Sequence, residues 1–492
     1  MEINESHIRK SVRSHTPLTY RFYRVTEDDK LFLNSVLTTA LNELEKDFVA
    51  SKTHYIVQEL VDNAYRAILK RLYFKKRNLD IDNPKEYAKG MKHFAEECWD
   101  EEPERAPELE PLGFHTDVEI GADNEYFILK VMNTGIPNKE ETEKICTRLN
   151  TVEHIRTIGE AMGTLQDNTE SAGLGTAMII MILRKIANNP SDVKPYVFYV
   201  DRKAMRTVAK VNIALNTLPE RLAEPLSEKI AQEIKTLPVY PENIMRLEKM
   251  ISQPSTPLSK VASVIEKDPV LTTELLRVIN SAQYFLPQKV KTIQNAVSLV
   301  GIRGLRNLVL SFGATRLLEQ RYGKQEELWK HASRCAYYAY TIAGDFGQKK
   351  LIDDIYIGAI LHDIGEIIVR SVNPFLAKKI QAFCTRKGIH GDAAEQLSIG
   401  STHFKIGAHI LRKWNFPEEI CTTIEFVAQP LIAPEEFKEI TAIIYCADQF
   451  AMFHENKIRL STVEPAVFKK YELHSAGALQ DYSHKLARLY EK

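Results

Sequence analysis

The sequence predicts an α/β sandwich followed by an all-helical domain. Three observations lead there. A chain of 492 residues exceeds what one ordinary hydrophobic core supports and suits two or three domains. Strand-like runs rich in β-branched and aromatic residues are confined to the first 215 residues or so. From about Pro219 onward almost every segment has helical spacing.

In chain order, Ile56 to Ala67 (IVQELVDNAYRA) reads as an amphipathic helix. Ile56, Leu60, Ala64 and Ala67 share one side, and Glu59 and Asn63 stand one turn apart on a neighbouring face. A carboxylate and a carboxamide at that spacing can hold a hydrated Mg²⁺ and orient a water. Tyr126 to Met132 and Tyr196 to Val200 read as buried strands, and Val208 to Leu215 as a neighbouring edge strand. The first of these runs into Asn133-Thr134-Gly135-Ile136-Pro137. Later, Ser171-Ala172-Gly173-Leu174-Gly175 opens an apolar helix over Thr176 to Ile186, where glycines let backbone N–H groups approach a phosphate. A tight loop would use the same glycines.

The boundaries that follow are 1–215 for the α/β domain, 216–235 for a charged helical linker, 236–455 for the helical domain and 456–492 for a helical tail. Charge is balanced, with 65 basic and 65 acidic residues, so no global field favours nucleic acid or an anionic membrane. The longest nearly apolar stretch, Ala172 to Leu183, is too short for a membrane span, and the charged opening MEINESHIRK lacks a signal-peptide core. The six cysteines form no CxxC, which argues against a disulfide framework or a cysteine zinc site. A cytoplasmic protein is expected. Phe94 to Leu112 carries eight acids and three prolines and reads as a solvated insertion, with an acidic docking surface as the alternative. Lys70 to Arg77 (KRLYFKKR) reads as a helix end with snorkelling cations rather than a nucleic-acid platform.

ELVDNA, NTGIP and AGLG, in that order, resemble the N box and two glycine boxes of the GHKL ATPase fold of histidine kinases, gyrase-type ATPases and anti-sigma kinases. The resemblance implies ATP with Mg²⁺ as ligand, held by Asn63, Asn133, Gly135, Gly173 and Gly175, and Glu59 as the base of any hydrolysis. The first glycine box of that family usually begins with Asp. Asn133 keeps a carbonyl acceptor for adenine but loses the charge assistance. No phosphoacceptor hairpin stands before the N box, so kinases of the anti-sigma type are the nearer analogues.

In the second half, Asp268-Pro269-Val270-Leu271, Asn280-Ser281-Ala282 and Ile293 to Gly301 resemble the HDOD domain, a signalling relative of the HD phosphohydrolases. Trp329-Lys330-His331, Ile357 to Gly365 and His403 to Pro417 extend the likeness. It implies a metal held by His331, His362, Asp363 and Asp448, with His403 as a possible further ligand. Asp363 and Asp448 also stand in apolar runs, where a buried carboxylate needs a cation or strong donors. The alternative is that these groups bond one another without metal. The paired histidines of cyclic-dinucleotide phosphodiesterases are absent at Phe426-Val427-Ala428, and His390 and His409 read as ordinary histidines.

The combined expectation is a bacterial signal-transduction protein in which an ATP-binding domain regulates a partner-binding helical domain, with ATPase or protein kinase activity open. A metal-dependent phosphohydrolase is the alternative. The expected partner is a protein, with neither membrane nor nucleic acid.

Overall fold

The computed structural model describes all residues except 1–2, 98–108, 156, 165–171, 187–194, 217–227, 252, 254–255, 281–288 and 492. Much of the acidic insertion, the start of the linker, Ser171, Ser281 and Ala282 therefore lie outside the described residues. The chain divides into two units. The first is Met1–Glu224 with Gln396–Gly400 and Ser461–Ala466, and the second is Pro225–Glu395, Ser401–Leu460 and Val467–Lys492.

The first unit is built on a five-stranded sheet of β1 (Leu18–Phe22), β2 (Thr116–Ala122), β3 (Tyr126–Thr134), β4 (Tyr196–Asp201) and β5 (Arg206–Ala214), ordered β1-β2-β3-β5-β4. Every neighbouring pair is antiparallel. Its helices are α1 (Glu5–Arg13), α2 (Glu27–Glu43), α3 (Ala50–Lys76), α4 (Pro84–Glu97), α5 (Lys139–His154), α6 (Ile158–Thr164) and α7 (Ala172–Ile186). The described sheet and the helices packed on it make this unit α/β. On β3 the residues alternate, so Phe127, Leu129, Val131 and Asn133 are buried on one face. The long helix α3 packs on β3 with Ile56, Val57, Leu60, Val61, Ala64 and Ile68 buried.

Two strand expectations need correction. Val208 to Leu215 is not an edge: β5 lies between β3 and β4. Tyr196 to Val200 is the edge strand, only partly buried, with Tyr199 exposed. Its aromatic run imitates a central strand but covers one side of the sheet. The sequence reading also missed β1 and β2. In β2 the alternation is masked because Thr116 and Asp117 are both buried. Asp117 is satisfied across the sheet by Arg21, whose Nε and Nη2 lie at 2.8 and 3.0 Å, and by Arg206 at 3.4 Å.

The basic run forms the end of α3, and Lys70 and Arg71 meet Glu141 rather than open solvent. The apolar α7 is a buried core helix, with Met178, Ile179, Ile182 and Leu183 almost fully covered. No single helix among the described residues is long and apolar enough to cross a membrane. Cys146, Cys335, Cys384, Cys421 and Cys446 are free thiols.

All elements described in the second unit are helical. They are α8 (Glu228–Thr236), α9 (Glu242–Ile251), α10 (Leu258–Ile265), α11 (Pro269–Ile279), α12 (Ile293–Tyr322), α13 (Glu326–Asp345), α14 (Ile352–Leu361), α15 (Ile364–Val372), α16 (Pro374–Lys387), α17 (Asp392–Ile399), α18 (His403–Lys413), α19 (Glu418–Glu425), α20 (Lys438–His454), α21 (Pro465–Lys469) and α22 (Ala476–Tyr490), joined by short 3₁₀ turns. The α12 axis breaks at Gly301, and α17 runs on into the residues grouped with the first unit. Asp268 caps α11 as expected, its carboxylate accepting from the N–H groups of Val270 and Leu271 at 3.1 Å. Helices α13, α14 and α20 pack on one another, and α15 packs on α18. That second crossing is unusually close. A Cβ at Gly365 would overlap the His403 carbonyl and lie 2.6 Å from the Gly407 nitrogen, so only glycine fits there.

Candidate metal centre

The four helices α13, α14, α15 and α20 bring His331, His362, Asp363 and Asp448 to one point. His331 projects from the first turns of α13. His362 follows α14, Asp363 stands immediately before α15, and Asp448 lies in the middle of α20. All four are buried: His331 is 4% exposed, His362 0%, Asp363 7% and Asp448 3%. The Gly365 crossing adds His403, at the start of α18, as a fifth member.

The donor atoms face one another. His331 Nε2 stands 3.1 Å from Asp448 Oδ1 and 3.5 Å from Asp363 Oδ2. His362 Nε2 stands 3.1 Å from Asp363 Oδ1 and 3.4 Å from Asp448 Oδ1. His403 Nε2 is 3.2 Å from Asp363 Oδ1. Ligands at about 2.1 Å from one ion lie roughly 3 Å from each other, which is the spacing found here.

Behind each imidazole an acceptor takes the other ring nitrogen. His331 Nδ1 meets Glu455 at 3.0 Å, His362 Nδ1 the Ala359 carbonyl at 2.7 Å, and His403 Nδ1 Glu395 at 2.8 Å. A carbonyl or carboxylate only accepts, so each Nδ1 carries the hydrogen and each Nε2 is turned inward. Metal-binding histidines are oriented in this way. His362 Nε2 is the sharpest case. It is buried among the Asp363 and Asp448 carboxylates and meets no hydrogen-bond partner of good geometry. A buried acceptor without a partner is costly, and a cation would satisfy it.

Charge is held tightly even among the protein groups alone. Burial opposes the His331 cation, but Asp448, Glu455 and Asp363 overcome it and raise His331 to about 10. Burial would likewise raise the Asp363 and Asp448 carboxyls. The surrounding imidazoles instead hold both below the usual carboxylate range. Glu455 is lowered to about 2 against its own burial, by His331 and Lys457.

The centre opens into a cavity of about 390 Å³. One wall carries Arg370 and Lys457, each paired with a carboxylate, Glu366 and Glu455, at 2.7 Å. Helix α16 contributes both apolar (Ala377, Ile380, Cys384) and polar (Lys378, Gln381, Thr385) lining. His390 is a packed histidine that bonds Gln449, and it also lines the cavity. His409 is exposed on α18. The sequence reading missed Glu395 and Glu455. Glu455 had a signal, since it lies two helical turns beyond Asp448, whereas only the fold places Glu395 beside His403.

In the first unit the expected residues are less concentrated. Asn63 and Asn133 line a cavity of about 210 Å³ above the sheet, with Thr176, Thr207, Tyr196 and Phe198. Thr207 pairs opposite Asn133 across β3 and β5, which no sequence motif announced. Glu59 is buried behind this cavity and accepts from Asn63 Nδ2 at 3.2 Å. Gly135 has φ +93, and Arg71 occupies the space a side chain would take. Gly173 and Gly175 lie inside the first turn of α7, which starts four residues earlier than expected. A Cβ at Gly175 would overlap the Glu59 carboxylate.

Comparison with known proteins adds the following. The family model for the HDOD domain matches residues 237–430. An uncharacterized protein of Treponema pallidum (strain Nichols) is 28% identical over 489 residues, covering 99% of this chain and 94% of the relative. Among solved structures, an HDOD domain protein of unknown function from Geobacter sulfurreducens is 20% identical, covers 53% of this chain and 95% of its own, and has a TM-score of 0.43. A candidate phosphohydrolase of Shewanella amazonensis SB2B is 24% identical, with coverage of 54% and 95% and a TM-score of 0.42. By the family-model match, the helical second unit of this chain carries an HDOD domain over residues 237–430.

Proposed function

We propose that this is a signal-transduction protein whose HDOD domain retains a divalent-metal centre able to cleave a phosphoester. The observation that carries the reading is the convergence of three inward-facing imidazole Nε2 atoms on two buried carboxylates, with His362 Nε2 lacking any other partner. His331, His362, Asp363 and Asp448 would hold the ion. Imidazole and carboxylate donors suit Mn, Fe, Zn or Mg. Bound there, such an ion acts as a Lewis acid and lowers the pKa of a coordinated water. Glu455 and Glu395 fix the rings of His331 and His403. Arg370 and Lys457 line the cavity where an anionic group would enter.

The test is turnover of p-nitrophenyl phosphate and bis(p-nitrophenyl) phosphate by the full chain after loading with Mn²⁺. Activity should vanish on chelation, return with Mn²⁺, and be absent in His362→Ala and Asp363→Ala. Unchanged activity in those variants would sink the reading.

A second reading concerns the first unit. ATP with Mg²⁺ binds in the cavity lined by Asn63 and Asn133, and its binding regulates how the HDOD domain meets a protein partner. The support is that Asn63 of α3, Asn133 at the end of β3 and Thr176 of α7 line one cavity, while Gly175 packs against Glu59 outside its lining. Asn63 would ligate Mg²⁺, and Glu59 would be the base of any hydrolysis or phosphotransfer. Regulation of this kind requires that ATP bind two states unequally. Calorimetric titration with ATP should show saturable, Mg²⁺-dependent binding that Asn63→Ala removes. An absence of heat at millimolar ATP would overturn it.

A further inference from the structure

The carboxylate that orients His331 is itself held by three donors. Glu455 follows α20 directly, and its Oε2 lies 3.0 Å from His331 Nδ1 and 2.7 Å from Lys457 Nζ. Its Oε1 accepts from Arg334 Nη1 at 2.9 Å. His331 and Arg334 stand three residues apart on α13, so both reach the carboxylate from one helix face. Held by Lys457 alone, the carboxylate would be free to turn about its last bond. Arg334 pins the second oxygen, and with it the direction in which His331 Nδ1 finds its acceptor.

Arg334 is steadied in turn by helix α22, which lies outside the residues matched by the HDOD family model. The Tyr490 ring stacks against the guanidinium, with the Arg334 Cζ 5.5 Å from its centroid. That ring also meets the rings of Tyr337 and Tyr338 of α13, edge to face, at 5.3 and 6.0 Å. The Tyr337 hydroxyl donates at 2.8 Å to the Leu489 carbonyl, one of the acceptors that a helix end leaves open. On the α20 side, His454 lies between two hydroxyls, Tyr338 at 2.6 Å and the fully buried Ser483 of α22 at 2.8 Å. Helix α22 is thus fastened to both helices whose ends carry the His331–Glu455 pair.

We propose that α22 positions the metal centre: by seating Tyr490 on Arg334, it fixes Glu455 and so holds His331 Nε2 turned toward the ion. Tyr490 and Arg334 are positioning residues, several contacts removed from the ligands. The proposal rests on the metal reading above.

The experiment measures metal affinity rather than activity. Full-length protein is stripped with chelator and titrated with Mn²⁺, the free ion being read by electron paramagnetic resonance. Removing a group that orients a metal-bound imidazole weakens binding roughly 10- to 100-fold, which is the loss expected for Glu455→Gln. Acting through Glu455, Arg334→Met should cost about tenfold and Tyr490→Ala about threefold, and Tyr490→Phe, which keeps the ring, should bind as the wild type does. In a Glu455→Gln background, Tyr490→Ala should cause no further loss, because the path it acts through is already cut. Tyr490 sits in the last turn of α22 and is only partly buried, so this variant keeps the test available if Arg334→Met folds poorly by circular dichroism. Wild-type affinity in Tyr490→Ala, with Glu455→Gln still weakened, would overturn the positioning role and leave the metal centre standing. A Tyr490→Ala loss that persists undiminished beside Glu455→Gln would reduce α22 to general packing and overturn the role as well. No bound Mn²⁺ in the wild type would overturn both readings.

Discussion

The two candidate sites differ in how strongly burial constrains them. In the helical unit, His331, His362, Asp363 and Asp448 are each more than nine-tenths buried and lie within 3.5 Å of another member of the quartet. In the first unit, Asn63 and Asn133 line the cavity, while Glu59 lies behind it and the glycines serve helix packing as much as a loop. A carboxylate inside an apolar helix is expensive unless something pairs with it, so its presence in the sequence already implies partners. A carboxamide on an amphipathic helix, or a glycine before one, costs little and implies little. The same kind of short motif therefore carries different weight in the two halves.

The most damaging way to test that contrast is to break the buried cluster. Asp448→Ala removes the carboxylate 3.1 Å from His331 and 3.4 Å from His362, breaking a buried ion-paired cluster, and should cost roughly 3–5 kcal/mol of stability, read by urea denaturation. The equivalent change in the first unit, Asn63→Ala, should stay within about 1 kcal/mol because Asn63 is only partly buried. Similar losses at both positions would erase the distinction.

Gly365→Ala probes the crossing that delivers His403. A methyl group there meets the α18 backbone, which cannot move aside as a side chain can, so a loss of about 1–3 kcal/mol is expected. Mn²⁺ affinity should fall with it. Stability lost with affinity retained would show that His403 is not a ligand.

The first unit has its own buried polar pair, which sharpens the comparison through pH. Burial pushes Glu464 up to about 7 and His54 down to about 4, and the two side chains meet at 3.4 Å. Glu464, raised above its ordinary 4.5, stabilises fully below that value and loses its contribution as pH rises through 7. His54, depressed below 6.5, stabilises fully above that value and loses its contribution as pH falls through 4. Between about 4.5 and 6.5 the two slopes oppose and cancel. His54→Gln should expose the Glu464 slope alone, a fall of at most about 1.4 kcal/mol per pH unit as pH rises from 4.5 to 7. Denaturation midpoints across that range check it; parallel curves for wild type and variant would refute it.

The smallest effect on stability and the most direct on function belongs to Glu59→Gln. It should leave Mg²⁺–ATP binding within a few-fold and abolish any ATP turnover, since the amide keeps the size of the carboxylate but not its basicity. Turnover that survived would remove Glu59 from that role.

Much of the helical half was legible. Asp268-Pro269 marks a helix start because an acid can cap and a proline can follow it, and α11 begins there. Asp448 within IIYCADQFAMF pointed to a buried charge, and it is one. In the α/β half, the aromatic run of β4 suggested a central strand, and β2 gave no clear signal. Periodicity cannot distinguish a strand covered on one side from a central one, nor see that Asp117 is buried because Arg21 and Arg206 reach it from other strands.

The sequence by itself determined the order of the two architectures, because hydrophobic spacing is local and any stretch of chain carries it. The quartet of histidines and aspartates, and the residues proposed for Mg²⁺ and nucleotide, entered as what the HDOD and GHKL resemblances imply. Only the tertiary structure decided that Glu395 and Glu455 stand behind the imidazoles, that Thr207 faces Asn133, and that His403 reaches Asp363. Each of these depends on where distant segments cross. The crossings are set by summed packing over whole helices and strands, such as the bare backbone contact at Gly365, and not by the residues that end up touching.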